Sequence, residues 1–73
     1  MNVLMRLIED SGLKNRKFVD VLQISHATWQ KKKENPDILN IMEIKQLAAL
    51  LRMSPEALFN EILKDTLKTN ENQ

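Results

Sequence analysis

The sequence predicts an all-α protein, a compact bundle of five short helices. Glycine and proline are scarce, with one glycine and two prolines in 73 residues. The apolar residues recur at helical spacing along most of the chain, and β-branched residues do not alternate with polar ones as they would in half-buried strands. Glycine, proline and capping residues divide this pattern into five segments, which we take in order.

The first predicted helix runs from about Asn2 to Ser11, and its inward face carries Leu4, Leu7 and Ile8. Gly12, the only glycine in the chain, follows at the position where helices commonly end in a left-handed residue. The second helix begins near Asn15, whose side chain can cap it, and ends at Leu22. Its inward residues are Phe18, Val19 and Leu22. A short bend therefore separates these two helices.

A tight turn at Gln23 and Ile24 joins the second helix to the third. Ser25 is a favourable N-cap residue, so the third helix is predicted from His26 to about Glu34. Trp29 is the apolar anchor of this helix, and its spacing from Ile24 favours a core position over a base-stacking role. The segment Asn35-Pro36-Asp37 then ends the helix, because a residue that precedes proline disfavours helical geometry.

Two start signals define the last two helices. Asn40 and Glu43 form a capping-box pair at the start of the fourth helix, whose apolar stripe is Ile41, Ile44, Leu47, Ala48 and Leu51. Ser54 and Pro55 supply an N-cap and an N1 proline at the start of the fifth. Its inward residues are Leu58, Phe59, Ile62 and Leu63, and Met42 and Met53 are also assigned mainly to the core.

The length and composition are those of one small domain. We place it over residues 1–65, and we expect residues 66–73 to form a polar tail that frays. The chain has no cysteine, which excludes disulfides and thiolate metal sites and fits a cytoplasmic protein. The longest apolar run, Leu47 to Leu51, is too short to cross a bilayer. The N-terminal residues also lack the pattern of a secretory signal, so no membrane partner is expected.

The charges are distributed unevenly. The net charge is +1, yet the region from Leu13 to Asn35 holds six of the eleven basic residues and two of the ten acids. Those basic residues are Lys14, Arg16, Lys17, Lys31, Lys32 and Lys33. A basic middle beside an acidic remainder is typical of a small nucleic-acid-binding module, although a charge cluster can also be a solubilising surface.

Five short helices with a tight turn between the second and third resemble the Cro and lambda-repressor type of helix-turn-helix domain. The resemblance runs without a gap from Gly12 to Leu58. It is carried by residues that match the family's pattern, namely Gly12-Leu13, Phe18, Leu22, Ile24-Ser25, Thr28-Trp29, Asn35, Ile41, Ile44, Leu47, Ala48, Leu51, Met53-Ser54 and Leu58. The motif is moderately specific, because its spacing is distinctive but each position tolerates many residues.

The resemblance implies a double-stranded-DNA-binding regulator of bacterial or phage type, often a repressor. Helix three would enter the major groove, with base-reading roles on His26, Ala27, Gln30 and Lys31. The implied phosphate contacts are Lys14, Asn15, Arg16, Lys17, Thr28, Lys32, Asn35 and Asn40. A two-fold homodimer is expected through helices four and five, with part of their apolar stripe exposed together with Ile38 and Leu39.

Several residues depart from the family's pattern. Val19 replaces a small alanine, Gln23 replaces the turn glycine, Asn15 replaces a glutamine, and Lys33 stands where glutamate is common. If Gln23 adopts a left-handed conformation, it costs roughly 1–2 kcal/mol. These departures and the low net charge leave a second interpretation open. The fold can serve as a protein-interaction or antitoxin-like module that binds DNA weakly or not at all.

An enzyme is the interpretation that the residues support least. The sequence has no glycine-rich phosphate loop, no cysteine nucleophile and no serine with a plausible triad around His26. The lone histidine has no second histidine or cysteine beside which to bind zinc, which takes three or four ligands. We therefore expect no catalytic residue, no metal site and no cofactor.

Overall fold

The structure is a computed structural model that describes residues 2–71, with side chains for residues 2–67. Within that part of the chain there are five α-helices and no strand, which confirms the all-α fold class. They are α1 (Val3–Ser11), α2 (Asn15–Leu22), α3 (His26–Glu34), α4 (Ile41–Leu51) and α5 (Pro55–Glu71), with a 3-10 turn at Pro36–Ile38 between α3 and α4. Helix α5 thus continues beyond residue 65, and residues 72–73 of the expected polar tail lie outside the described residues.

The helix ends follow the capping residues in the sequence. Asn2 caps α1 by accepting from the Met5 N–H, and Gly12 ends it at a φ of 75°. Ser25 caps α3 by accepting from the Thr28 N–H. At α4, Asn40 and Glu43 exchange both hydrogen bonds of the predicted capping box. These caps satisfy helix-end groups that would otherwise lack partners.

One local prediction was wrong. Asn15 does not cap α2, because Lys14 occupies the N-cap position without a side-chain hydrogen bond and Asn15 is already helical. The Asn15 side chain is instead engaged with α3, as described below. Asn35, which precedes Pro36, has a φ of −130° and lies outside the helix, and the chain passes from it directly into the 3-10 turn.

The core draws on every helix. Its buried residues are Leu4, Ile8, Phe18, Val19, Leu22, Trp29, Leu39, Leu47, Ala48, Leu58 and Ile62. The aromatic rings of Phe18 and Trp29 stack with centroids 5.1 Å apart and an interplanar angle of 14°. This pair joins α2 to α3 near the middle of the fold, as expected for the predicted core position of Trp29.

The apolar stripes of α4 and α5 are only partly buried. Ile41, Met42 and Phe59 were assigned to the core, but they are 78%, 60% and 50% exposed. Leu63, also predicted inward, is exposed. The reason lies in the contact between the two helices, where Leu58 and Ile62 take the inward positions of α5. Phe59 is one residue further round the helix and so falls at the edge of that contact. Leu39, expected at an exposed face, is buried.

Candidate nucleic-acid interface

The turn between α2 and α3 is compact. Gln23 has a φ of 57°, so it takes the left-handed conformation that glycine would adopt without strain. Its N–H and that of Ile24 both donate to the Val19 carbonyl oxygen, at 2.8 and 3.3 Å. Ser25 then caps α3. The two helices are therefore connected by three residues, Gln23 to Ser25, and the Gln23 and Ile24 N–H groups are both bonded to α2.

A hydrogen-bonded cluster joins the start of α2 to the inner side of α3. The Trp29 indole Nε1–H donates to the Asn15 Oδ1 at 3.0 Å. The Lys33 Nζ donates to the same oxygen at 3.1 Å and lies 5.8 Å from the centroid of the Trp29 ring. Three side chains from two helices thus share one acceptor and one aromatic ring. The contact between Asn15 and Lys33 could not be predicted, because nothing in their spacing in the sequence indicates that they meet.

The opposite side of α3 is open to solvent. His26, Ala27, Gln30 and Lys31 are all exposed, whereas Trp29 is fully buried. Positions 26, 27, 30 and 31 share one side of a helix, so the structure brings the four predicted base-reading residues together. We call this surface the α3 face.

The predicted phosphate contacts at the start of α2 form a second exposed group. Lys14, Asn15, Arg16 and Lys17 are exposed, and we call this group the basic end of α2. Arg16 pairs with Asp20 one turn later, at 4.0 Å and with both side chains largely exposed. A surface pair of this kind is weak, so it leaves the guanidinium available to a phosphate.

Lys32 is engaged elsewhere, although the resemblance implied a phosphate contact for it. Its ammonium donates to the Glu43 carboxylate, and the two side chains are 16% and 7% exposed. The pair ties α3 to the first turn of α4, and we therefore omit Lys32 from the proposed interface. No feature of the sequence indicated this contact, because a helix break separates the two residues and the capping box already explained Glu43.

Three further predicted phosphate contacts have local partners. The Ser25 hydroxyl donates to the half-buried Thr28 Oγ1 at 3.0 Å. The Asn35 Nδ2 donates to the Lys31 carbonyl oxygen at 3.3 Å, and the Asn40 Oδ1 accepts from the Glu43 N–H. Both asparagines are exposed. Asn35 and Asn40 are the first and last residues of the segment that connects α3 to α4, and they are distant in sequence from the basic end of α2.

Asn2 also positions α3, which the sequence did not predict. Its Nδ2 donates to the Lys33 carbonyl oxygen at 2.7 Å, while its Oδ1 accepts from the Met5 N–H. One side chain thus satisfies a carbonyl at the end of α3 and an amide at the start of α1. The C-terminal turn of α3 is held by α1 in addition to its contact with α4.

No family model, curated protein or solved structure matches this chain. Among the described residues, no group of three or more His, Cys, Asp or Glu is arranged to hold a metal ion. Nor is any helix in that part of the chain both long enough and apolar enough to cross a membrane.

Proposed function

We propose that this protein is a sequence-specific, duplex-DNA-binding transcription regulator of the Cro and lambda-repressor type, acting in the cytoplasm as a repressor. The observation that carries the proposal is the placement of two exposed groups on consecutive helices. The α3 face offers base-reading side chains, and the basic end of α2 offers cations and helix amides to a phosphate. Such a division between phosphate positioning and base reading is how helix-turn-helix proteins recognise DNA.

The chemistry of the α3 face suits the major groove. Gln30 can pair with N6 and N7 of adenine, Lys31 can donate to O6 and N7 of guanine, and the Ala27 methyl can contact the methyl of thymine. His26 stands at the start of the helix, where the first residues of a recognition helix contact base edges. All four side chains are exposed on the side of the helix away from the buried Trp29, where they can face a groove.

The basic end of α2 would grip the phosphate backbone. Lys14, Arg16 and Lys17 supply positive charge, and Asn15 lies among them at the first helical position. Because Trp29 and Lys33 occupy the Asn15 oxygen, its Nδ2 group is the part of the amide oriented to donate elsewhere. Asn35 and Asn40 remain candidates at the far side of α3.

One recognition helix reads few bases, so we propose that the protein binds as a two-fold dimer. The two α3 helices would then contact half-sites about 34–36 Å apart, which is one turn of B-DNA.

The alternative function is a protein-interaction or antitoxin-like module. The observation that favours it is the exposure of Ile41, Met42 and Phe59, because a monomer that binds only DNA has no need of apolar surface there. The two functions differ in their response to salt. DNA affinity falls steeply as the salt concentration rises, because releasing counterions from the DNA then gains less free energy, whereas apolar association hardly responds.

An amide chemical-shift titration with a mixed-sequence DNA duplex, at low and then at higher salt, tests the proposal. We expect shifts at Lys14–Lys17 and along the α3 face that fade with salt. A variant with Arg16→Gln and Lys17→Gln should lose most of this binding, and Lys64→Gln, which removes an exposed charge on α5, is the control. A folded spectrum without shifts at low salt would contradict DNA binding and favour the protein-interaction module.

A further inference from the structure

The three consecutive lysines at the end of α3 have three different surroundings. Lys31 lies on the exposed α3 face, and the Lys32 ammonium is paired with Glu43 of α4. Lys33 is half-buried, and its ammonium donates to the Asn15 Oδ1 at 3.1 Å, at the start of α2. The Lys33 side chain therefore carries a positive charge from the last turn of α3 to the neighbouring helix.

The partners of the Lys33 ammonium are neutral. They are the Asn15 amide oxygen and the ring of Trp29, whose centroid lies 5.8 Å from the Nζ atom. No carboxylate in the described part of the chain forms an ion pair with Lys33. An ammonium has three N–H donors, and the bond to Asn15 uses one of them. The charge of Lys33 is therefore available to an anion.

The same cluster determines which end of the Asn15 amide faces outward. The Lys33 ammonium and the Trp29 indole are both donors, so the atom that faces them must be the oxygen. An amide oxygen accepts two hydrogen bonds, and both are made here, which leaves the Nδ2 group to bind a ligand. A bond from a cation to the oxygen also polarises the amide and strengthens its N–H groups as donors. Lys33 thus prepares Asn15 to donate to a negatively charged acceptor.

The start of α2 is an unfavourable place for a further cation in the free protein. Lys14, Arg16 and Lys17 already lie there, and the first turn of α2 contains no acid. The N-terminus of a helix carries a partial positive charge, so cations near it are destabilising. Lys33 adds another cation, at the position where the family that the sequence resembles often has glutamate. A bound anion would relieve this repulsion, and a DNA phosphate is such an anion.

We propose that Lys33 and Asn15 together bind one phosphate of the DNA, so that α3 and α2 hold the same phosphate. Lys33 supplies charge and orients the amide, and the Asn15 Nδ2 group donates to a phosphate oxygen. The inference rests on the proposed function and adds to it a phosphate contact for Lys33 that the resemblance did not imply. Because Lys33 belongs to α3, this contact also sets the distance between the bound phosphate and the α3 face.

Fluorescence anisotropy with a mixed-sequence DNA duplex, at several salt concentrations, tests the role of Lys33. Such a duplex is suitable because phosphate contacts carry no sequence information. Lys33→Met should raise the Kd by roughly three- to tenfold and lower the salt slope by about one. Lys33→Arg keeps the charge and should keep the slope. Lys64→Met is the matched control, because it removes an exposed lysine of α5 and should change neither quantity.

Lys33→Glu distinguishes phosphate binding from a purely structural role. This variant has the residue that is common in the family, so a structural role would make it at least as good a DNA binder as Lys33→Met. Phosphate binding predicts the opposite order, because an acid at this place repels the DNA backbone. A Kd for Lys33→Glu at or below that of Lys33→Met would overturn the inference. Circular dichroism checks that every variant folds.

A double-mutant cycle tests whether the two residues bind the same phosphate. Asn15→Ala should raise the Kd without changing the salt slope, because the amide carries no charge. Combined with Lys33→Met, it should raise the Kd by less than the product of the two separate factors, since both substitutions weaken one contact. Combined with Lys64→Met, the factors should simply multiply. Factors that also multiply for Asn15 and Lys33 would overturn the shared phosphate.

The inference and the proposed function fail in different ways. Wild-type protein that binds the duplex with a steep salt dependence, while Lys33→Met behaves like Lys64→Met, would overturn the role of Lys33 and leave the proposed function standing. Folded wild-type protein that does not bind the duplex at low salt would overturn both.

Discussion

The Trp29 indole N–H donates to the Asn15 side-chain oxygen at 3.0 Å, across the contact between α2 and α3. The same tryptophan is fully buried and stacks on Phe18, so it contributes to the core and to the contact between α2 and α3 at once. A polar group buried with its ring needs a partner, since an unpaired one costs about 1–3 kcal/mol. Asn15 is that partner, and this explains why an amide residue at the start of α2 suits a protein with tryptophan at position 29.

Two substitutions of Trp29 distinguish the contribution of its ring to stability from that of its N–H group. Trp29→Phe keeps an aromatic ring against Phe18 and loses the hydrogen bond, so we expect about 1–2 kcal/mol of destabilisation. Trp29→Ala also leaves a cavity and should cost about 3–5 kcal/mol. Urea denaturation followed by circular dichroism measures both. A small loss for Trp29→Ala, together with lost DNA binding, would contradict the core assignment.

A double-mutant cycle tests the contact itself. Asn15→Ala should cost about 1 kcal/mol, and its effect should be smaller when Trp29 is already phenylalanine, because the shared hydrogen bond can be lost only once. Arg16→Ala is a neighbouring control whose effect should be the same in both backgrounds. Full additivity of Asn15→Ala and Trp29→Phe in urea denaturation would show that the hydrogen bond contributes nothing to stability.

The Lys32–Glu43 pair gives a prediction about α3 and α4. Lys32→Met leaves the Glu43 carboxylate buried without its cation, and we expect about 3–5 kcal/mol of destabilisation. The double variant Lys32→Met with Glu43→Leu removes both charges and should recover much of that loss, less the contribution of the capping box. Urea titrations measure the free energy of unfolding of the single and the double variant. A double variant less stable than Lys32→Met would show that the pair itself, and not the unpaired charge, dominates.

The fold class and most helix ends could be predicted because they depend on neighbouring residues. Ser25, Asn40 with Glu43, and Ser54 cap helices through bonds that span three positions, and such bonds are visible in the sequence. The contacts between helices could not be predicted in this way. Asn15 contacts Lys33, and Lys32 contacts Glu43, only because their helices pack at particular angles. The residues near each position in the sequence do not indicate how two helices pack.

The same difference applies to the candidate site, where some residues could be predicted from the sequence and others could not. The four residues of the α3 face were grouped by the resemblance, and all four are exposed. The use of Lys32 in an ion pair could not be foreseen, since charge alone does not show whether a lysine faces solvent or a buried acid. Part of the apolar stripe of helices four and five was expected to be exposed, but the sequence did not indicate that Ile41 belongs to that part, because helical spacing does not show which residues another helix covers.

The division of roles in DNA binding predicts two different outcomes. Lys31→Met should weaken binding chiefly to sites with the preferred base at one position, by about 1–3 kcal/mol, and so relax specificity. Arg16→Gln should weaken all sequences similarly and lower the salt slope by about one. Fluorescence anisotropy with a selected operator and a scrambled duplex, at several salt concentrations, measures both quantities. Equal effects of the two substitutions on both duplexes would contradict the division between base reading and phosphate contact.

The left-handed turn residue predicts a stabilising substitution. Gln23 holds a φ of 57°, which costs a residue with a Cβ roughly 1–2 kcal/mol relative to glycine. Gln23→Gly should therefore raise the free energy of unfolding by about 0.5–1 kcal/mol, once the greater flexibility of glycine in the unfolded chain is subtracted.

Gly12→Ala is the reciprocal test. Gly12 has a φ of 75°, and a Cβ built there has no neighbouring atom within 4 Å. The loss of stability caused by alanine would therefore reflect the backbone conformation and not a steric clash. We expect it to lower stability by about 1 kcal/mol in thermal or urea unfolding. Gln30→Gly, in the middle of α3, is the control, because glycine there should destabilise by about 1 kcal/mol. If Gln23→Gly lowered stability as much as Gln30→Gly does, the left-handed conformation at the turn would not be a source of strain.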